Sequence, residues 1–222
     1  MTSTTLPRGR SRTWWAGLVL LVGGLAVLGW VAWQFWGTNW VSHRAQDRIV
    51  KQVEKKWEAD SVDVVEVPEG NVSALIRIPE FGDDYVIPVL EGTSDDVLSS
   101  GFGHFDDTAG PGEAGNFALA AHRITHGEPL RDMPNLEAGD EVVVETRDAT
   151  YTYVLTTGGD DLTVSFEDGW VLDALPKNPE KGGVQPDQRQ GQKLITLTTC
   201  AELFHTDERL VAFGVLKERT PR

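Results

Sequence analysis

From Trp14 to Trp36 the chain reads WWAGLVLLVGGLAVLGWVAWQFW, 23 residues without a charge and with Gln34 as the only clearly polar side chain. At about 1.5 Å per residue a helix of that length reaches roughly 34 Å, enough to cross the hydrocarbon core of a bilayer. The next stretch, VSHRAQDRIVKQVEKKWEAD, places Ala45, Ile49 and Val53 every fourth position and sets Asp47 one turn from Lys51. That spacing predicts a juxtamembrane helix within 37–60, a spacer whose charges face water. After Asp60 the period changes. Short runs rich in Val, Ile, Tyr and Thr (VSALIRIP, YVIPVL, NFALAAHR, EVVVET, TYTYVLTT, KLITLTTC and RLVAFGVL) alternate with Gly, Pro, Asp and Asn clusters. This is the pattern of an all-β barrel or sandwich rather than a parallel α/β sheet. Residues 100–116 and 176–192, dense in Gly and Pro, read as long loops, which in a compact domain are functional or disordered.

Charge adds the orientation. Arg8, Arg10 and Arg12 precede the apolar run and no carboxylate does, so the amino terminus is expected in the cytoplasm, with Trp14, Trp15, Trp33 and Trp36 near the two interfaces. A cleaved secretory signal is the alternative, with GLA at residues 24–26 as a loose cleavage site, but the apolar run continues too far beyond it for a signal core. Either way the domain is exported. The whole chain holds 20 Lys and Arg against 34 Asp and Glu, and all 34 acids lie after Gly37. Such an acidic domain excludes nucleic acid and an anionic membrane surface as partners of the domain itself.

Cys200 is the only cysteine, so it is buried filler, an intermolecular crosslink or a nucleophile. Side chains alternate along a strand, so TLTTC places Thr196, Thr198 and Cys200 on one face, and NFALAAHR places Ala118, Ala120 and His122 on one face. The two alanines leave room beside the imidazole for a peptide. Arg209, nine residues past Cys200, opens the strand RLVAFGVL. If AELFHTDE is a turn, Arg209 returns beside the end of the cysteine strand, where a guanidinium favours a thiolate and holds an oxyanion. Taken singly, each has an ordinary explanation: a small buried hydrophobe, a structural hydrogen-bonder, a salt-bridged surface residue. His104, His126 and His205 rival His122, which is preferred because it alone sits on a readable strand behind small residues; His43 belongs to the spacer.

TLTTC with Arg209 nine positions on and GNFALAAHR some eighty residues upstream resembles the sortases, within them the actinobacterial class E housekeeping type. FWGTNW, VIPVLEGTS, GFGHF, PGEAGNFALAAHR and LEAGDEVVVET fall in the family's order. The resemblance implies a closed eight-stranded sortase-type β-barrel with short helices, preceded by one transmembrane helix. Residues 1–13 would be a cytoplasmic basic tail, 14–36 the anchor, 37–60 the helical spacer and 61–222 the extracytoplasmic catalytic domain. It implies a cysteine transpeptidase that needs no cofactor or metal. Cys200 would attack the threonine carbonyl of an LAxTG or LPxTG sorting signal at the C-terminus of a secreted protein, forming a thioester. Arg209 would hold the oxyanion. His122 would protonate the departing glycine amine and then deprotonate the incoming amine of a lipid-linked peptidoglycan precursor. Phe105, Ala120, Thr198 and Thr199 would face the sorting peptide.

The sequence departs from the usual class E pattern at AAHR for AGHR, at TTCAE for TTCHP, and at Phe105, where many members have tyrosine. Asp106 and Asp107 lie where some sortases bind calcium, but a solvated acidic turn accounts for them. Two other functions compete. An L,D-transpeptidase would want serine and glycine just before the cysteine, and an NlpC-type hydrolase a cysteine opening a helix ahead of its histidine; neither arrangement is present. A membrane-tethered β-domain that binds a partner without chemistry would bury Cys200.

Overall fold

The computed structural model describes residues 12–33, 37–59, 62–199 and 207–222. The chain divides into two compact units, Met1–Gly37 and Thr38–Arg222. In the first, α1 (Arg12–Ala32) contains the segment Thr13–Ala32, whose mean hydropathy of 2.1 and length suffice to cross a membrane. Residues 1–11, and residues 34–36 at the end of the apolar run, lie outside the described residues.

The second unit begins with α2 (Thr38–Ala59) and continues as β1 (Val65–Val67), β2 (Gly70–Arg77), β3 (Ile87–Glu91), α3 (Asp95–Leu98), β4 (Phe102–His104), β5 (Gly115–Ala121), β6 (Glu141–Glu145), β7 (Ala149–Leu155), β8 (Thr163–Ser165), β9 (Lys193–Thr199) and β10 (Glu208–Pro221). Eight of these strands form the expected closed barrel, in the order β2-β3-β4-β5-β9-β10-β7-β6, with β6 pairing back onto β2. Closure leaves no bare edge in the ring. The two remaining strands are short additions: β1 forms a hairpin with β2, and β8 pairs with the start of β10. Two contacts in the ring are parallel, β3 with β4 and β5 with β9. The first needs a crossover, which α3 supplies; the second joins strands distant in sequence.

Alternation along the strands decides which side chains fill the barrel. Phe117, Leu119 and Ala121 of β5, Ile195 and Leu197 of β9, and Ala212 of β10 join Phe102 and Tyr153 in the buried interior. The intervening residues of β5, β9 and β10 therefore point outward. There a second apolar layer covers them. Val211 and Phe213 of β10 pack with Leu162, Val164 and Val171, all from the long connection between β7 and β9. Within that connection residues 176–192 carry no helix or strand, as their composition predicts.

Two elements differ from the sequence expectation. Residues 100–116 are not one loop, because β4 lies inside them. Glycines in it and just before it serve close packing: a Cβ on Gly101 would meet the Pro88 carbonyl at 2.3 Å, and one on Gly103 the Gly92 carbonyl at 2.5 Å. The second difference is α2, whose buried face is Ser42, Gln46, Ile49 and Val53. Ile49 and Val53 join Val65, Val72, Leu75, Leu90 and Val97 in a cluster outside the barrel. The helix is thus packed against the barrel, with polar residues in the first half of its buried face.

Candidate active site

The outward faces of β5, β9 and β10 form the floor of a cavity of about 460 Å³. His122, Ala120, Phe105, Thr198, Thr199 and Arg209 all line it. Every described residue assigned a catalytic or substrate-binding role from the sequence is therefore at one site. Cys200 and His205 lie outside the described residues.

The registers explain the convergence. β5 and β9 run parallel with Ala120 opposite Thr198 and Ala121 opposite Thr199, so the last described residue of β9 stops level with the residue before His122. β10 returns antiparallel, with Val211 opposite Thr198, which brings Arg209 to the same end of the sheet. The guanidinium carbon of Arg209 lies 4.9 Å from the Phe166 ring. Phe166 is 71% exposed, an aromatic side chain at the rim with most of its surface in water.

The floor is held by hydrogen bonds that the sequence did not reveal. Thr196 Oγ1 donates to Asn116 Oδ1 at 2.7 Å, and Asn116 Nδ2 donates to the Val171 carbonyl at 3.0 Å. These bonds tie β9 and β5 to the 3-10 turn Gly169–Leu172, part of the cavity wall. The Leu210 amide donates to Thr199 Oγ1 at 3.2 Å, so this hydroxyl braces β10 and retains its proton for a second bond. Phe105 donates its backbone N–H to the Ala118 carbonyl at 3.1 Å, fixing the start of the glycine-rich loop. Farther along that loop Gly112, at φ +74°, donates to the Tyr153 hydroxyl at 2.7 Å; a Cβ there would collide with the Tyr151 ring.

His122 follows directly after β5 and is half-buried. Burial lowers its pKa to about 4, aided by the neighbouring His126 and Arg209 and opposed by Asp95. The ring centroids of His122 and His126 are 4.7 Å apart with 30° between planes. The pKa of His126 is also lowered, by burial, against the opposing charge of Asp95. Asp95, at the start of α3, lines the same cavity. Asp95 is not marked by local sequence pattern as belonging to the site, and HRITH, with two histidines four residues apart, presents His126 as a rival of His122 rather than as its neighbour.

His104 has a different role. Its Nδ1 lies 2.8 Å from a Glu91 carboxylate oxygen and its Nε2 lies 3.1 Å from the Ala109 carbonyl. The pairing lowers the pKa of Glu91. Buried against Phe117 and bonded at both nitrogens, this histidine braces the glycine-rich loop.

A barrel of eight strands with a peptide-sized cavity across β5, β9 and β10, containing a histidine and an arginine, defines a class of strand-end active site. A Sortase domain model matches residues 76–217, and the chain belongs to the sortase family. Its similarity is to class E members. Sortase SrtE1 of Streptomyces coelicolor is 35% identical over 214 residues, covering 93% of this chain and 57% of that protein, so this chain spans little more than half of that relative's length. Sortase E from Streptomyces avermitilis superposes with a TM-score of 0.60 at 35% identity, over 70% of this chain and 93% of that one. Sortase E1 from Streptomyces coelicolor, solved with a tripeptide in its active site, gives a TM-score of 0.56 at 36% identity, over 71% of this chain and 94% of that one.

Proposed function

We propose that the chain is a membrane-anchored cysteine transpeptidase that cleaves LAxTG- or LPxTG-type sorting signals between threonine and glycine and transfers the acyl group to an amine. The observation that carries this reading is the meeting of His122, Arg209 and Thr199 in one cavity, at the strand end that leads in sequence to Cys200. The pairing of β9 with β5 and with β10 brings His122 and Arg209 to the end of the sheet where the described part of β9 stops, at Thr199. The tripeptide in the active site of the Streptomyces coelicolor relative supports a peptide as the occupant.

The surroundings of His122 shape the mechanism. A folded pKa near 4 makes its imidazole neutral at pH 7. An ordinary cysteine titrates near ~8.5, so the resting pair is thiol and imidazole. The thiol proton then passes to His122 as sulfur attacks the threonine carbonyl. The carbonyl oxygen takes the negative charge and the Arg209 guanidinium donates hydrogen bonds to it. Collapse breaks the C–N bond, His122 returns the proton to the departing glycine amine, and a thioester remains on Cys200. The incoming amine loses a proton to His122 as it attacks, and the thiolate leaves.

Residues 14–36 would anchor the enzyme with residues 1–13 in the cytoplasm. The catalytic barrel would follow outside the membrane, acting on secreted proteins, with a lipid-linked peptidoglycan precursor as the amine donor. Incubating the purified full chain with a fluorogenic LAxTG peptide should release its glycine end, and Cys200→Ala should abolish release. A wild-type chain that cleaves neither LAxTG nor LPxTG peptides, or a Cys200→Ala chain that cleaves as well as wild type, overturns the proposal.

A further inference from the structure

We propose that Asn39 is a positioning residue for His122: its carboxamide fixes the turn His126–Glu128, and that turn sets the His126 ring against the His122 imidazole. The inference rests on the catalytic role proposed for His122 and adds α2, which the sequence presents as a spacer, to the machinery.

The turn is held in a backbone conformation that needs support. His126 and Glu128 have φ of 55° and 50°, and Gly127 between them has φ of 81°. Left-handed backbone at two side-chain-bearing residues is costly and persists only where the surroundings impose it. Asn39 supplies that imposition from the first turn of α2. Its Nδ2 donates to Glu128 Oε1 at 2.6 Å, and its Oδ1 accepts the Gly127 N–H at 3.0 Å. The other Glu128 oxygen accepts from Arg131 at 2.6 Å. Farther along the buried face of α2, the Gln46 amide fills the space beside Gly127, where a Cβ would meet it at 2.7 Å. The turn is therefore gripped on one side by a helix almost ninety residues away in sequence.

The grip reaches the imidazole by short steps. The Leu130 amide donates to the His122 carbonyl at 3.0 Å, closing the loop that contains the turn. Within it Thr125 Oγ1 lies 3.0 Å from His126 Nδ1, which limits rotation of that ring. His126 then covers one face of His122. The charged groups around His122 are His126 from the same loop, Asp95 from α3 and Arg209 from β10; Asp95 also faces His126. Releasing the turn withdraws His126, so His122 becomes more exposed and loses a repelling neighbour. Its titration midpoint should then rise from about 4 toward the ordinary histidine value.

The test compares full-length wild type, Asn39→Ala, His126→Ala and the paired change Asn39→Asp with Glu128→Gln, all in detergent. In the pair, the carboxylate introduced at position 39 would accept both the Gly127 N–H and an N–H of the carboxamide introduced at position 128. Both bonds are thereby restored, the second with donor and acceptor exchanged. We expect Asn39→Ala and His126→Ala each to lower kcat for the sorting peptide about tenfold. KM should stay within about twofold. Imidazole NMR should show the His122 midpoint raised in both, and the paired change should return kcat and midpoint to wild-type values. An unchanged midpoint and kcat in Asn39→Ala, or a pair no better than Asn39→Ala, overturns the inference. A wild-type chain without peptide cleavage defeats the proposed function instead, and the NMR midpoints still decide the role of Asn39. If Asn39→Ala does not fold, His126→Ala and the paired change decide it.

Discussion

His122 takes its acid–base behaviour from burial and from its neighbours. The ordinary histidine pKa is 6.5 and the folded value about 4, so between these values the unfolded chain binds a proton that the folded chain refuses. This group therefore leaves stability undiminished above pH 6.5 and lowers it as pH falls toward 4. His126, lowered by the same cause, acts in the same direction. Thermal melting of His122→Gln should therefore lose less stability than wild type between pH 6.5 and 4. The rate follows the same titration. In the proposed mechanism His122 accepts the thiol proton and must be neutral to do so, so kcat/KM for peptide cleavage should hold through mildly acidic pH and fall only as pH approaches 4. A fall centred near 6.5 would contradict this. Ala120, Thr198 and His122 are legible as neighbours in one cavity because strand alternation points to them, Arg209 because of its spacing after Cys200, and Phe105 and Thr199 only through the sortase resemblance. Asn39, Asp95 and Asn116 are not, since their contributions come from contacts across the fold that no local pattern records.

At the scale of elements, the ring of strands is legible where apolar and polar residues alternate or where Val, Ile and Thr cluster. It is obscured at β4, where Gly101 just before the strand and Gly103 within it resemble a loop while serving as contact points. Gly103→Ala should cost about 1–3 kcal/mol in chemical denaturation, because the new methyl would press on backbone at Gly92 and on Leu98. Helix α2 is legible as a helix but not as a packed one. Its buried face begins with Ser42 and Gln46, polar residues whose burial hydrophobic periodicity cannot announce. Ile49→Ala, which removes a fully buried side chain from the contact between α2 and the barrel, should destabilise the folded chain by about 2–5 kcal/mol. A change below about 0.5 kcal/mol, the range of surface substitutions, would show that the helix is a free spacer.

For the molecule as a whole, the proposed anchor, an apolar N-terminal helix preceded by arginines, is expected to hold the acidic domain outside the cell. Cys200 is the only cysteine, so one reagent reports both topology and reactivity. A membrane-impermeant methanethiosulfonate added to intact cells should label the chain, and Cys200→Ala should remove the label. The most direct test asks whether that sulfur carries the acyl group. Full-length chain quenched in acid after mixing with an LAxTG peptide should show, by peptide mass spectrometry, an adduct of the peptide up to its threonine on Cys200, released by hydroxylamine. Arg209→Ala should yield much less of it. Peptide cleavage with no adduct on Cys200, or an adduct on another residue, would contradict the account.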